Sequence, residues 1–144
     1  MGVYTYAFYF TPFCTEKQIV MHNTLFDKYG GVPMVTRVVK DFHERLMRRP
    51  NIRRYFLDMP IDKVIDHHIA YVSYALGKPN ISFTSKEIHD KHMNAGVTAA
   101  SYDLITDLLI ASLEDENVTE EDVQTIIARI NQLRGEVVTK GLAR

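Results

Sequence analysis

Tryptophan is absent from this sequence of 144 residues, and cysteine occurs only once, as Cys14. A single cysteine excludes an intramolecular disulfide and is typical of a reducing compartment, so we expect a cytoplasmic protein stabilised by its apolar core. No segment approaches the roughly 20 apolar residues that a membrane-spanning helix needs. The apolar stretch over residues 3–14 contains Pro12 and has no Lys or Arg before it, which disfavours a secretory signal.

The sequence also lacks an excess of either charge, since it contains 17 Lys and Arg residues and 18 Asp and Glu residues. The resulting net charge of −1 provides no basic field for a nucleic-acid partner. A local basic cluster, typical of a solvated helix end, consists of Arg48, Arg49, Arg53 and Arg54. There is no glycine-rich phosphate loop and no recognisable Ser–His–acid signature, so the common hydrolytic motifs give no indication of function.

Apolar residues repeat at the helical period through most of the chain, and the predicted fold class is all-α. Gly30 and Gly31 are expected to end a first helix over residues 18–29, and later breaks are expected at Pro50, Pro60, Gly77 and Gly96. Two further helices are expected to begin with capping patterns, Thr84 with Glu87 and Thr119 with Asp122. We expect one domain over residues 21–144 and an N-terminal extension over residues 1–20. The aromatic extension could mediate a dimer.

The histidines are the residues whose positions point most clearly to a functional site. His67 and His68 lie on one predicted helix and His92 on the next, while His43 lies on the apolar side of an earlier one. Imidazole is the commonest protein ligand for metals near neutral pH. Steps of three and four residues from Val64 reach His67 and His68, so both lie near one face, and the apolar period points His68 inward. Alternatively, His92 is a surface residue and His43 is satisfied within the core.

Four segments, in this order and spacing, resemble the truncated haemoglobins, most closely those of group I. They are residues 25–31 (LFDKYGG), 39–45 (VKDFHER), 70–77 (AYVSYALG) and 92–98 (HMNAGVT). The resemblance covers residues 25–138 and implies a two-over-two helical sandwich around haem b. Neither a Cys-x-x-Cys-His motif nor a histidine after His92 is present, so the haem is expected to be non-covalent.

The resemblance also implies roles for individual residues. His92 stands at the position of the proximal iron ligand, Phe56 at that of an aromatic wedged against the haem, and Lys86 near a position that often contacts a haem propionate. The other residues expected to contact haem are Phe42, Val64, Tyr71 and Ile88.

On the distal side the sequence departs from the family pattern. His43 replaces the tyrosine usual in group I, and Val64 and His68 replace the usual glutamine or leucine, so imidazoles face the bound gas. In some cyanobacterial relatives a histidine matching His67 binds iron as a sixth ligand. We therefore expect a distal histidine to hold the resting iron, with His67 favoured over His68 and His43 third. Alternatively, His67 pairs with a propionate while His68, with His43, stabilises the bound ligand.

The resemblance implies a protein that binds oxygen, nitric oxide and carbon monoxide at a histidine-ligated iron. Haem-based electron transfer and nitric-oxide detoxification are alternatives, and a nitric-oxide dioxygenase would depend on an external reductase because no reductase domain is appended. A hypothesis of another class is a cofactor-free helical interaction module, in which the histidines are only polar residues of a bundle.

Overall fold

Helices account for the regular structure of the described part of the chain. The structure, a computed structural model, describes residues 24–138, and no strand occurs within them. The helices are α1 (Leu25–Lys28), α2 (Val32–Met47), α3 (Pro50–Arg53), α4 (Ile61–Ala75), α5 (Ser85–His92), α6 (Ala99–Asp115), α7 (Glu120–Asn131) and α8 (Arg134–Val137). The all-α prediction is confirmed. The extension predicted for residues 1–20 and the beginning of the helix predicted for residues 18–29 lie outside the described residues.

Four long helices form two layers of two. Helix α2 packs against α4 and α6, and α7 packs against the same two helices. The face of α2 towards the core is fully buried at Val35, Val38, Val39 and Leu46, the positions that its helical period predicts. The predicted two-over-two sandwich is confirmed. None of the helices within residues 24–138 combines the length and hydrophobicity required to cross a bilayer.

The helix starts follow the predicted caps. The Thr84 side chain accepts from the amide of Glu87, and the Glu87 carboxylate accepts from the amide of Thr84 at 2.8 Å, so this capping box is confirmed. Gly31, with a φ of 72°, precedes α2, and its conformation is in the left-handed region that favours glycine. These caps set where α2 and α5 begin.

At the start of α7 the cap is combined with a tertiary contact. Thr119 accepts from the amide of Asp122, as the sequence predicts. The Asp122 carboxylate itself accepts from the Lys28 ammonium at 2.7 Å and from the Tyr29 hydroxyl at 2.5 Å, which joins α7 to the end of α1. The hydrogen bond from Lys28 first, and then that from Tyr29, lowers the pKa of Asp122 below its ordinary value.

Asp122→Asn is expected to lower the free energy of unfolding by about 1 kcal/mol at neutral pH, because it weakens two charge-assisted hydrogen bonds. Since the folded-state pKa of Asp122 is lowered, its contribution is fully present above the unfolded-state pKa of about 3.9 and is lost as the pH falls through the folded-state value. Urea denaturation between pH 2 and pH 7 measures this difference. The neighbouring exposed carboxylate Glu121 supplies the control variant, Glu121→Gln; an equal loss there, or a loss independent of pH, would contradict the assignment.

Candidate functional site

A cavity of ≈ 190 Å³ is lined by residues of α4 and α5 and of the helices around them. A cavity needs a volume of only roughly 10–15 Å³ to hold one water molecule, so this cavity is an order of magnitude larger than a water site. Its walls are mainly apolar and aromatic, and three histidines are among them. An apolar cavity with a few convergent polar groups is the usual form of a site for a small molecule or cofactor.

Most of the residues predicted from the sequence meet in this cavity. The predicted residues that line it are Phe42, Phe56, Val64, His67, His68, Tyr71, Ile88 and His92. Their convergence from α2, the turn before α4, α4 and α5 could not be deduced from the periodicity of any one helix. The contact of these residues with haem stays a prediction.

Two predicted residues lie outside the lining of the cavity. His43 is buried beside it, and neither of its ring nitrogens has a hydrogen-bond partner within residues 24–138. Lys86 is exposed on the outer side of α5, and its ammonium lies 2.5 Å from the carboxylate of Asp90. The roles predicted for both residues remain predictions.

The cavity is also lined by a lysine that was not predicted as a site residue. Lys91 lines the cavity together with Ile88 and His92 of the same helix. Steps of three and four residues from Ile88 reach Lys91 and His92, so the helical period alone would have placed all three on one face. Helix α4 shows the same spacing at Val64, His67 and His68.

The ring of His92 is oriented by its own helix. Its Nδ1 lies 2.7 Å from the carbonyl oxygen of Ile88, one turn earlier. A carbonyl only accepts hydrogen bonds, so Nδ1 carries the proton and Nε2 is the basic nitrogen. Burial lowers the pKa of His92, and the hydrogen bond to Ile88 offsets only part of this effect. The lowered pKa keeps the imidazole neutral near pH 7. A backbone carbonyl that fixes the tautomer in this way is typical of metal-binding histidines.

His67 lies across the cavity from His92, with the two ring centroids 6.3 Å apart. Its ring is parallel to that of Tyr71, one turn later on α4, at a centroid separation of 6.3 Å, and the edge of Phe83 packs at 6.2 Å. Burial, and then the charges of Lys91 and His92, lower the pKa of His67 to about 4. His67 is therefore a neutral imidazole held in place by aromatic contacts.

His68 lies deeper in the cavity than His67. Its ring packs 5.4 Å from Phe42 and 5.9 Å from Phe56, measured between centroids. Burial lowers the pKa of His68 to about 3, and its buried Nδ1 has no hydrogen-bond partner within residues 24–138. A buried polar atom without a partner is costly, so a ligand that accepts or donates a hydrogen bond here would relieve that cost.

The separation of the His67 and His92 rings fits a metal ion held within a larger group. Two imidazoles on opposite sides of one metal, each with a metal–nitrogen bond of about 2 Å, have ring centroids about 6 Å apart. His67 and His92 have this separation. Residues 24–138 contain no group of three or more His, Cys, Asp or Glu side chains suited to a metal ion. The remaining ligands of such a metal would come from a macrocycle, and the apolar walls suit one.

Comparisons with known proteins agree with this geometry. The family model described as bacterial-like globin matches residues 24–139. A group 1 truncated haemoglobin from Synechocystis is 26% identical over 110 residues, covering 74% of this chain and 88% of that protein. The group 1 truncated haemoglobin of Tetrahymena pyriformis is 20% identical, with coverage of 81% and 96%.

Solved structures show the same fold. The crystal structure of the 2/2 haemoglobin from Synechococcus, in the cyanomet state and with covalently attached haem, superposes with a TM-score of 0.72 at 24% identity and covers 81% of this chain and 99% of that one. The truncated haemoglobin from Tetrahymena pyriformis, in the Fe(III) form, gives a TM-score of 0.73 at 20% identity, with coverage of 82% and 100%. The chain therefore belongs to the bacterial-like globin family, whose cofactor is haem, and it is similar to the group 1 truncated haemoglobins.

Proposed function

We propose that this chain holds a non-covalent haem b through Nε2 of His92 and binds oxygen, nitric oxide and carbon monoxide on the side of His67 and His68. The single observation that carries the proposal is the orientation of His92, whose Nδ1 donates to the Ile88 carbonyl while its ring centroid lies 6.3 Å from that of His67 in the same cavity. When bound, haem supplies a ferrous iron that binds diatomic gases reversibly.

The residues around the proposed site have separable tasks. Phe42, Phe56 and Val64 exclude water, which protects a ferrous iron from oxidation by bulk solvent. His68 brings an imidazole with a buried, unpartnered Nδ1 to the distal side, where it can form a hydrogen bond with a bound gas. His43 lies behind this layer and is the less direct candidate for that task.

We further propose that His67 is the sixth ligand of the resting iron. The ring separation of 6.3 Å between His67 and His92 supports this choice over His68, which packs between Phe42 and Phe56. A gas must then displace the imidazole, so its binding rate would report the opening of the distal side.

The purified protein is expected to show a Soret band, and extraction with acidified organic solvent is expected to remove the haem completely. The physical reason is that thioether attachment lacks its cysteines and that no histidine follows His92 in the sequence. The absorbance of the protein phase and of the solvent phase measures how much haem each phase contains. A colourless protein after expression with added haem would instead support the cofactor-free interaction module, and colour retained in the protein phase would contradict non-covalent binding.

Electron transfer is a second candidate function, and the facing pair His67 and His92 favours it. An iron with two imidazoles can remain six-coordinate in both oxidation states, which keeps the structural change on electron transfer small. Nitric-oxide dioxygenation would require an external reductase. Rapid mixing of the oxygen-loaded protein with nitric oxide separates these functions: a slow reaction, or no turnover with any cellular reductant, would remove the enzymatic alternative.

A further inference from the structure

We infer that Lys91 is a positioning residue that binds Nδ1 of His67, keeps the proton of that imidazole on Nε2, and so opposes ligation of the iron by His67. This inference rests on the proposed haem site and adds a regulator of its distal side. Lys91 would set the balance between a closed, six-coordinate iron and an iron open to gases.

The contact joins the two helices that face each other across the cavity. The ammonium Nζ of Lys91, on α5, lies 3.4 Å from Nδ1 of His67, on α4. Lys91 is adjacent in sequence to His92, so the same short helix carries both the proposed proximal ligand and the group that contacts the distal imidazole. Both residues line the cavity.

The chemistry of the two groups fixes the position of the proton. An ammonium has three donors and no acceptor, so Nδ1 of His67 must be the acceptor in this contact. A ring nitrogen that accepts a hydrogen bond carries no proton, so the imidazole of His67 holds a single proton in this contact. The proton therefore lies on Nε2, and His67 presents an N–H donor.

His92 has the opposite tautomer. Its Nδ1 donates to the Ile88 carbonyl, so Nε2 is basic and suited to a metal. For His67 to bind iron through Nε2, the proton must move to Nδ1, and Lys91 cannot accept a hydrogen bond from that nitrogen. Ligation by His67 therefore requires Lys91 to leave, whereas donation of a hydrogen bond by His67 to a bound gas is compatible with Lys91 in place.

The charged and titratable neighbours of Lys91 permit this role. Glu87, one turn earlier on the same helix, accepts hydrogen bonds from the amide and hydroxyl of Thr84 in the capping box, and its charge also interacts with that of Lys91. The other acid on this helix, Asp90, is paired with Lys86. The acids of α5 are thus engaged elsewhere, and Lys91 extends towards His67.

The first test is the tautomer of His67 in the haem-free full chain, measured by long-range ¹H–¹⁵N correlation spectra. The wild type and Lys91→Arg, which keeps a donor without an acceptor, are expected to show the proton on Nε2. Lys91→Glu, whose carboxylate accepts a hydrogen bond, is expected to move it to Nδ1. A wild-type proton on Nδ1, or a Lys91→Glu spectrum unchanged from the wild type, would overturn the inference.

The second test uses the haem-loaded protein. Lys91→Glu is expected to raise the ratio of low-spin to high-spin ferric iron by at least about fivefold, the factor by which one hydrogen bond of ordinary net strength changes an equilibrium. Carbon monoxide should bind correspondingly more slowly, Lys91→Met should be intermediate, and Lys91→Arg should match the wild type. Lys40→Glu makes the same charge change at an exposed site on α2 and should have no effect.

The two tests separate this inference from the proposed function. If the chain takes up no haem, the proposed function fails, and the spectra of the haem-free chain still decide whether Lys91 fixes the tautomer. If haem binds but Lys91→Glu changes the spin ratio no more than Lys40→Glu does, the inference is overturned while the proposed function stands.

Discussion

His92→Gly is expected to lower the affinity of the chain for haem by more than about 100-fold and to abolish the spectrum of a histidine-ligated iron. Loss of an outer-shell partner of a metal ligand already costs roughly 10–100-fold in affinity, and this variant removes the proposed ligand itself. Titration of the haem-free protein with haem, followed at the Soret band in both oxidation states, measures the effect. Added imidazole should restore the wild-type spectrum, because the glycine leaves space for it.

His89→Gly is the matched control for this prediction. His89 lies on the same short helix, three residues before His92, and its Nδ1 is 3.5 Å from the carboxylate of Glu136. Its removal should leave both the spectrum and the affinity for haem unchanged. If His89→Gly loses haem and His92→Gly keeps it, the proximal ligand is His89, one turn earlier, and the assignment to His92 is wrong.

His67→Ala is expected to convert a low-spin ferric protein into a high-spin one and to accelerate carbon monoxide binding by about tenfold or more. The variant removes the imidazole that we propose competes with the gas for the sixth position, so opening would no longer limit the rate. Ferric absorption spectra and flash photolysis of the carbon monoxide complex measure the two effects.

The neighbouring histidines provide the controls. His68→Ala should keep the low-spin spectrum and lose ligands faster, because it removes the hydrogen bond that we propose His68 forms with the bound gas. His43→Ala should retain both properties, since His43 lies outside the cavity lining. A high-spin, water-bound wild-type protein, or low-spin bands that survive in His67→Ala, would exclude His67 as the resting ligand.

Local chemistry made part of this structure predictable. Thr84 and Glu87 form the capping box that their spacing predicts, and the apolar period of α2 identifies its buried face. On α4, the periodicity pointed His68 inward and the resemblance favoured His67. Both line the cavity, because residues three and four positions after Val64 lie on the same broad face.

The placement of charged and neighbouring side chains was harder to predict. The resemblance places Lys86 near a haem propionate, and that role stays a prediction, whereas its ion pair with Asp90, one turn later on α5, was not predicted. His43 directly follows Phe42, and a step of one residue turns the helix by about 100°, which directs the two side chains to different neighbours. The contact between Lys91 and His67 joins two helices and depends on tertiary packing that no local pattern encodes.

A crystal structure of the haem-loaded chain would show which residue holds the iron. We expect an iron atom about 2 Å from Nε2 of His92, with Nδ1 of His92 still donating to the carbonyl of Ile88 and His67 on the opposite face of the haem. An iron bound by His89, or by no nitrogen of α5, would contradict it.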